Sequence, residues 1–416
     1  MHTMIPRCVW LLAIGSLLQT AIAAQDPVAI DPPRTLILDA QGMAGQYARW
    51  QDSGDSVPPA IENLRREADE CRTEGPWTVV SKSIVPPSGD KHDYISVGPY
   101  WWPDPAKPDG KPYIRRDGEV NPERMEYDNV GLKKTCGNSL TLALAWYYTR
   151  NPDDARHAAE LLRTWFVRPE TAMNPNLNFG QAIPGRTTGR GIGIIDTACL
   201  IGAVDAALLL ETSPAWTDAD ARSLRQWFAQ YLHWLRHSKH GRDEDRTKNN
   251  HATWYDAQVA CFALYAGQPD VAREVLRNVA ERRIKSQIRD DGSQPHELAR
   301  TKSWDYSVMN LKAFINLATL ADHVDVDLWN HHSDNAGGIR DALDFLIPFA
   351  LSESDWKHEQ ITPLDGAKLA ELLRRAAIAY QEPKYETLLH RLAPDDQPTD
   401  ARFQLTHPAI HLQAHP

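Results

Sequence analysis

From about residue 137 onward, apolar residues recur at three- and four-residue steps, as in NSLTLALAWYYTR, DADARSLRQWFAQYLHWLRH, ATWYDAQVACFALYAG and LKAFINLATLADHV. No alternating apolar and polar run competes with them, so the spacing predicts an all-α chain. Three junctions share one form: AWYYTR-NP-DDARHAAELL at Asn151-Pro152, CFALYAG-QP-DVAREVLR at Gln268-Pro269 and AAIAYQ-EP-KYETLLHRL at Glu382-Pro383. In each an aromatic-ended helix stops, a polar-Pro step turns the chain, and a polar first turn opens the next helix. Repeated hairpins of this kind stack as a solenoid or close into a ring. Long irregular loops between the pairs favour closure, predicting an (α/α) toroid, an incomplete barrel of helical hairpins around a central cleft.

Two regions break the helical pattern. Residues 74–130 are rich in Pro, Gly, Trp and Tyr and include DYISVGPYWWPDPAKPDGKPYIRRDGEVNPE. A loop region this long is functional or disordered, and its aromatic content argues against disorder. The second is MNPNLNFGQAIPGRTTGRGIG at 173–193, where Asn, Gln, Arg and Gly gather ahead of an apolar helix.

The N-terminus adds a compartment. Arg7, the apolar run VWLLAIGSLLQTAIA and the small-residue site Ala21-Ile22-Ala23-Ala24 predict a cleaved signal peptide over residues 1–24. The apolar run is too short for a membrane span. The expectation is therefore an exported protein, periplasmic or secreted and without membrane insertion, in which residues 25–416 form one catalytic domain. Four cysteines follow the leader, Cys71, Cys136, Cys199 and Cys261, without metal-binding spacing. An oxidising compartment permits a disulfide, although Cys199 and Cys261 lie in apolar helical patterns that suit buried thiols. A net charge of −10 argues against nucleic acid. It leaves room for an anionic substrate in a local cationic groove. No motif implies a metal, a cofactor or a protein partner.

Candidate chemistry falls in four places. Tyr100, Trp101 and Trp102 offer flat faces for sugar stacking, or else a hydrophobic plug for their own loop. Gln181 and Arg186 either bind a polar ligand or pin their own backbone. In NNHATWYDAQ, residues 249–258, helix capping needs one Asn. The other Asn and the imidazole of Asn249-Asn250-His251 are left over. In HELARTKSWDYSVMN, residues 296–310, Glu297, Arg300, Lys302 and Tyr306 gather in a short span. On a helix, Lys302 and Tyr306 share a face at i,i+4, where a cation favours the phenolate. Arg300 lies six positions before Tyr306, about 120° around a helix. The two converge only if the helix starts near Arg300. The bland alternative is a solvated face with Glu297 paired to Arg300.

Asn, His, Arg and Tyr without a nucleophilic Ser or Cys suit β-elimination in a uronic-acid polymer. The C5 proton leaves only if the adjacent carboxylate is neutralised, a task for Asn and Arg. A base and an acid for C5 and O4 are within the reach of Tyr and His. The DYISVGPYWWPDP-to-NPE stretch, the NPNLNFGQAIPG-R loop, the NNH tripeptide and the E-L-x-R-x-x-x-x-x-Y segment together resemble the bacterial alginate lyase superfamily, polysaccharide lyase families 5 and 38. The similarity spans roughly residues 75–320. The long YWWPDP segment and the Arg-to-Tyr spacing bring it nearer to family 38.

The resemblance implies an (α/α) toroid and metal-independent elimination of a 1,4-linked polyuronate, with alginate and its mannuronate blocks favoured and glucuronan as the alternative. It implies that Asn250 and Arg300 face the carboxylate, that His251 is the base or supports the site, and that Tyr306 protonates O4. Asn249 is an equal candidate for the Asn role. Tyr100, Trp101, Trp102, Gln181, Arg186, Asn249, Glu297 and Lys302 are the expected substrate contacts. Two competing readings are an inverting glycoside hydrolase with a carboxylate pair drawn from Asp196, Asp256, Glu297 or Asp305, and a polysaccharide binder without catalysis.

Overall fold

The structure is a computed structural model that describes residues 31–52, 57–332, 336–392 and 402–409. The expected leader at 1–24 lies outside them. The chain is helical: α1 (Ala40–Asp52), α2 (Pro59–Arg72), α3 (Asp128–Thr149), α4 (Pro152–Leu162), α5 (Leu200–Leu210), α6 (Asp218–His237), α7 (Lys239–Asp245), α8 (Asn250–Tyr265), α9 (Pro269–Val279), the short α10 (Lys285–Gln287) and α11 (Pro295–Leu298), α12 (Ser303–Asp322), α13 (Ile339–Ala350), α14 (Ala370–Tyr380) and α15 (Pro383–Leu392). Each predicted Pro step is a hairpin turn: Pro152, Pro269 and Pro383 are the first residues of α4, α9 and α15. A proline there gives up no hydrogen bond, because its missing N–H belongs to an unpaired first turn.

Packing follows the hairpins. α3 lies against α2, α4 and α5, and α8 against α5, α6, α9 and α12. Side chains from α3, α5, α8, α12 and α14, among them Leu140, Ile201, Trp254, Asn316 and Arg375, line one partly open cavity of about 530 Å³ between the helices. The stretch Gly191–Leu210 is apolar and long enough to cross a membrane, yet most of it is buried inside the protein, as befits a core helix. Within it Asp205 is fully buried, and its carboxylate accepts the backbone N–H groups of Leu36, Ile37 and Leu38 at 2.6–3.2 Å, tying the N-terminal strap to α5.

The two regions that break the helical pattern meet each other. β1 (Ile95–Val97) from the first pairs in parallel with β4 (Phe179–Ala182) from the second, while β2 (Trp101–Trp102) and β3 (Ile114–Arg115) form an antiparallel pair. A buried ion pair anchors the start of this layer. Lys82 Nζ donates to Asp128 at 2.8 Å and to the carbonyls of Val79, Lys91 and Asp93. Asp128 also accepts the Ile95 N–H at 2.9 Å, so one carboxylate joins α3, the lysine hub and β1. Burial pushes the Lys82 ammonium down and the Asp128 carboxyl up, to about 6, so each charge depends on the other.

Asp128→Asn removes one charge and leaves the buried Lys82 without its ion-pair partner. We expect it to cost about 3 kcal/mol or more in urea unfolding. A loss below about 1 kcal/mol, the range of an exposed pair, contradicts this reading.

Candidate active site

The α8 and α12 helices each pass from this cavity to a second opening about one turn nearer their N-termini. Trp254 and Lys312 face the cavity, whereas Asn250, His251, Tyr306 and Met309 line a cleft of about 290 Å³. Pro99, Tyr100, Trp101, Arg115, Gln181, Arg190, Ile192, Ile195, Asn249 and Arg300 complete the lining. Among the described residues, no Asp or Glu is in it.

The geometry begins with α8. The cap residue Asn249 makes no capping hydrogen bond with its side chain. Instead Glu297, 1 % exposed, accepts both the Asn250 backbone N–H and its side-chain amide, each at 2.7 Å. A carboxylate there satisfies an orphan donor and faces the positive end of the helix. Burial still pushes the Glu297 carboxyl up, against the two hydrogen bonds from Asn250. Asn249 is thereby left free to line the cleft. At the next residue, the His251 Nδ1 lies 2.7 Å from the buried Glu244 carboxylate. That contact places the ring proton on Nδ1 and leaves Nε2 as the basic nitrogen. The other Glu244 oxygen is buried without a partner, which gives the carboxylate no competing donor.

Arg300 and Tyr306 converge because the chain is not one helix between them. α11 ends at Leu298 and α12 starts at Ser303, and the turn lays the Arg300 guanidinium 3.9 Å over the Tyr306 ring. Asp117, from the aromatic loop region, grips Arg300 with a two-pronged pair at 2.9 and 3.1 Å. Although burial raises the Asp117 carboxyl, Arg300 and then Arg115 pull it down to about 2. The Tyr306 hydroxyl meets the Tyr100 hydroxyl at 2.6 Å. Burial, and then Tyr100, push its pKa well above the usual phenol range, so the neutral phenol is the resting form.

The opposite wall is built by the β1–β4 layer. Asp196 accepts from Tyr94 at 3.0 Å, Ser96 at 2.6 Å and the Gln181 amide at 3.0 Å. Gln181, at φ +49°, then receives Arg190 on both its backbone and side-chain oxygens at 3.0 and 2.9 Å. This layer tolerates only glycine where strands and turns touch: a Cβ on Gly193 would lie 2.5 Å from the Gly180 backbone. Burial lowers the Arg190 pKa, offset in part by Asp196, and among the described residues Arg190 has no ion pair.

Several expectations need correction. Lys302 does not line the cleft: it precedes α12 with its backbone bridged to Gln360, and the cation on Tyr306 is Arg300. The phenolate expected from Lys302 therefore has no source in that residue. Glu297 is spent on Asn250 and lies outside the lining. Arg186 donates to the Tyr113 carbonyl and packs over Trp101, while Trp102 is covered by Arg116 and bonds the Glu119 carbonyl. Neither faces the cleft. Arg190 and Arg115 line the cleft, and Glu244 and Asp117 support it, without having been singled out in the sequence, where Asp196 entered only as a candidate hydrolase carboxylate. Arg190 alone carried a signal, being the second Arg of the Gly-rich loop already singled out.

Comparison with known proteins follows the same lines. The alginate lyase family pattern matches residues 78–356, more than half of the chain. The chain belongs to the alginate lyase family. It is therefore a polysaccharide lyase. An alginate lyase structure from Bacteroides ovatus is 37 % identical, with a TM-score of 0.85 over 90 % of this chain and 99 % of that one. Two variants of alginate lyase A1-III, one histidine-to-alanine and one tyrosine-to-phenylalanine, each complexed with a tetrasaccharide, are 16 % identical with TM-scores of 0.53. They cover 91 % and 90 % of this chain and 98 % and 100 % of their own. At that identity they speak for the fold alone. Among proteins with curated descriptions, none matches the chain.

Because the Glu244 carboxylate has no other hydrogen-bond partner among the described residues, its removal should free the His251 ring without disturbing the core. Glu244→Ala is expected to reduce turnover on the order of 10²-fold, with an unchanged circular dichroism spectrum. Wild-type turnover would show that the imidazole needs no support.

Proposed function

We propose that this lyase cleaves alginate by β-elimination, leaving a 4,5-unsaturated uronate at the new chain end. The observation that carries the reading is the composition of the cleft: amides, arginines, an imidazole and two phenols, with no carboxylate in the lining among the described residues. The hydrolase alternative lacks its acid pair. Asp196 is spent on Tyr94, Ser96 and Gln181, Asp256 on Arg283, Glu297 on Asn250, and Asp305 on Lys368, Gln360 and Thr362.

In this reading the uronate carboxylate sits against Arg190 and the amides of Asn249 and Asn250. Arg190 suits the task better than Arg300, whose charge Asp117 already balances. An arriving anion relieves the cost of keeping Arg190 buried and lets charge build on the carboxylate as the C5 proton departs. Side chains thus supply the neutralisation that a metal ion otherwise would. The neutral Tyr306 donates to O4. In mannuronate H5 and O4 lie on one side of the ring, and the Tyr100–Tyr306 contact offers two hydroxyls 2.6 Å apart to take one proton and return another. This favours mannuronate blocks. Guluronate presents H5 on the other face and calls on His251 Nε2. The leader-like residues 1–24 support export to where such a polymer is met, and 25–416 serve as one catalytic unit.

Purified protein incubated with alginate, poly-mannuronate, poly-guluronate and glucuronan is expected to produce near-ultraviolet absorbance, fastest with poly-mannuronate. Chain shortening without that absorbance means hydrolysis, and binding of intact polymer means no catalysis. Either result overturns the proposal.

A further inference from the structure

We infer that Cys136 and Cys199 form a cross-linking pair, closing a disulfide between α3 and the start of α5 when the protein meets an oxidising environment. That the environment is oxidising rests on the proposed export. The pairing itself rests on the geometry.

The two helices run side by side in one direction. Leu140 of α3 packs so closely on Gly202 of α5 that a Cβ there would sit 3.3 Å from its methyl group, and further along Trp146 bonds Thr212 at 3.2 Å. Cys136 lies one turn before Leu140, and Cys199 lies nearly one turn before Gly202, so the same register brings the thiols together. Burial, and then the neighbouring Cys199 thiol, push the Cys136 thiol well above its usual range. All four cysteines in the described residues are thiols. Cys261 is fully buried, and Cys71 sits half-buried on α2. Among them only Cys199 is both beside a second thiol and on the wall of the cavity of about 530 Å³.

That asymmetry assigns an order to the chemistry. Cys136 is 2 % exposed, and burial holds it as the protonated thiol. Cys199 is the thiol that meets a disulfide oxidant such as oxidised glutathione. Its sulfur attacks, one thiol of the oxidant leaves, and a mixed disulfide forms. The Cys136 sulfur then attacks Cys199, loses its proton and releases the second thiol. In sum, two protein thiols give up two electrons and two protons, and the oxidant's disulfide is reduced to two thiols. The bond would fasten α3 to the residues directly after Asp196, whose carbonyl now accepts the Cys199 S–H at 3.5 Å and whose carboxylate holds Gln181. A cross-link here braces the cleft wall from behind, outside the reacting groups.

The full chain, equilibrated with oxidised glutathione, alkylated under denaturing conditions and mapped by mass spectrometry, is expected to yield a peptide linking Cys136 to Cys199, with Cys71 and Cys261 alkylated. Melting should rise by roughly 2–5 °C from the reduced to the oxidised protein, and Cys199→Ser should abolish that rise. Free or singly glutathionylated Cys136 and Cys199, a different linkage, or a rise that survives Cys199→Ser overturns the inference. Because glutathione is supplied in the tube, failure here is distinct from failure of the export proposal, which is read from the compartment in which the protein is found.

Discussion

The cleft depends on one buried carboxylate at the N-terminus of α8. Glu297 holds the backbone and the side chain of Asn250 at once, so the first turn of the helix is capped from another segment rather than by its own Asn. This releases Asn249 and fixes the direction in which His251 leaves the helix. The same device recurs around the cleft: Glu244 grips His251, Asp117 grips Arg300, and Asp196 grips Gln181 and through it Arg190. Each acid is spent on a neighbour, so the surface offered to ligand is donor-rich and cationic although the whole chain carries a net charge of −10. Low local dielectric strengthens each of these pairings.

Two kinds of structure share the work. The helices supply the floor and back of the cleft, where position is set by close packing along α8 and α12. The irregular regions supply the walls, held by the Lys82–Asp128 pair and by the β1–β4 ladder. Tyr100 and Asp117 come from one irregular region and meet Tyr306 and Arg300 on the helical side. The Tyr306 phenol therefore sits at a seam between the two. Its neutral form follows from burial in that seam, and a tyrosine on an exposed helix face would not share it.

Much of this was legible in the chain. The three polar-Pro steps mark real hairpin turns because proline's chemistry at a first helical turn is local. NNH stood out because a cap needs only one Asn. Lys302 misled because i,i+4 spacing presumes a continuous helix, and the break after Leu298 hands its place to Arg300. Glu244 sits in RDEDRTKNN, which reads as a solvated run, and only the fold buries it. Asp117 lies 183 residues from Arg300, a pairing that no local pattern announces. The supports were invisible for the same reason that they work: long-range contacts carry no local signal.

The proposed elimination turns on where the substrate carboxylate rests. A crystal structure of Tyr306→Phe with a mannuronate oligosaccharide tests it most directly. One uronate carboxylate is expected within hydrogen-bond distance of Arg190 and of the Asn249 or Asn250 amide, with the bridging O4 of that sugar facing the position of the lost hydroxyl. A carboxylate held by Arg115 at the rim, with O4 turned away from residue 306, would contradict it.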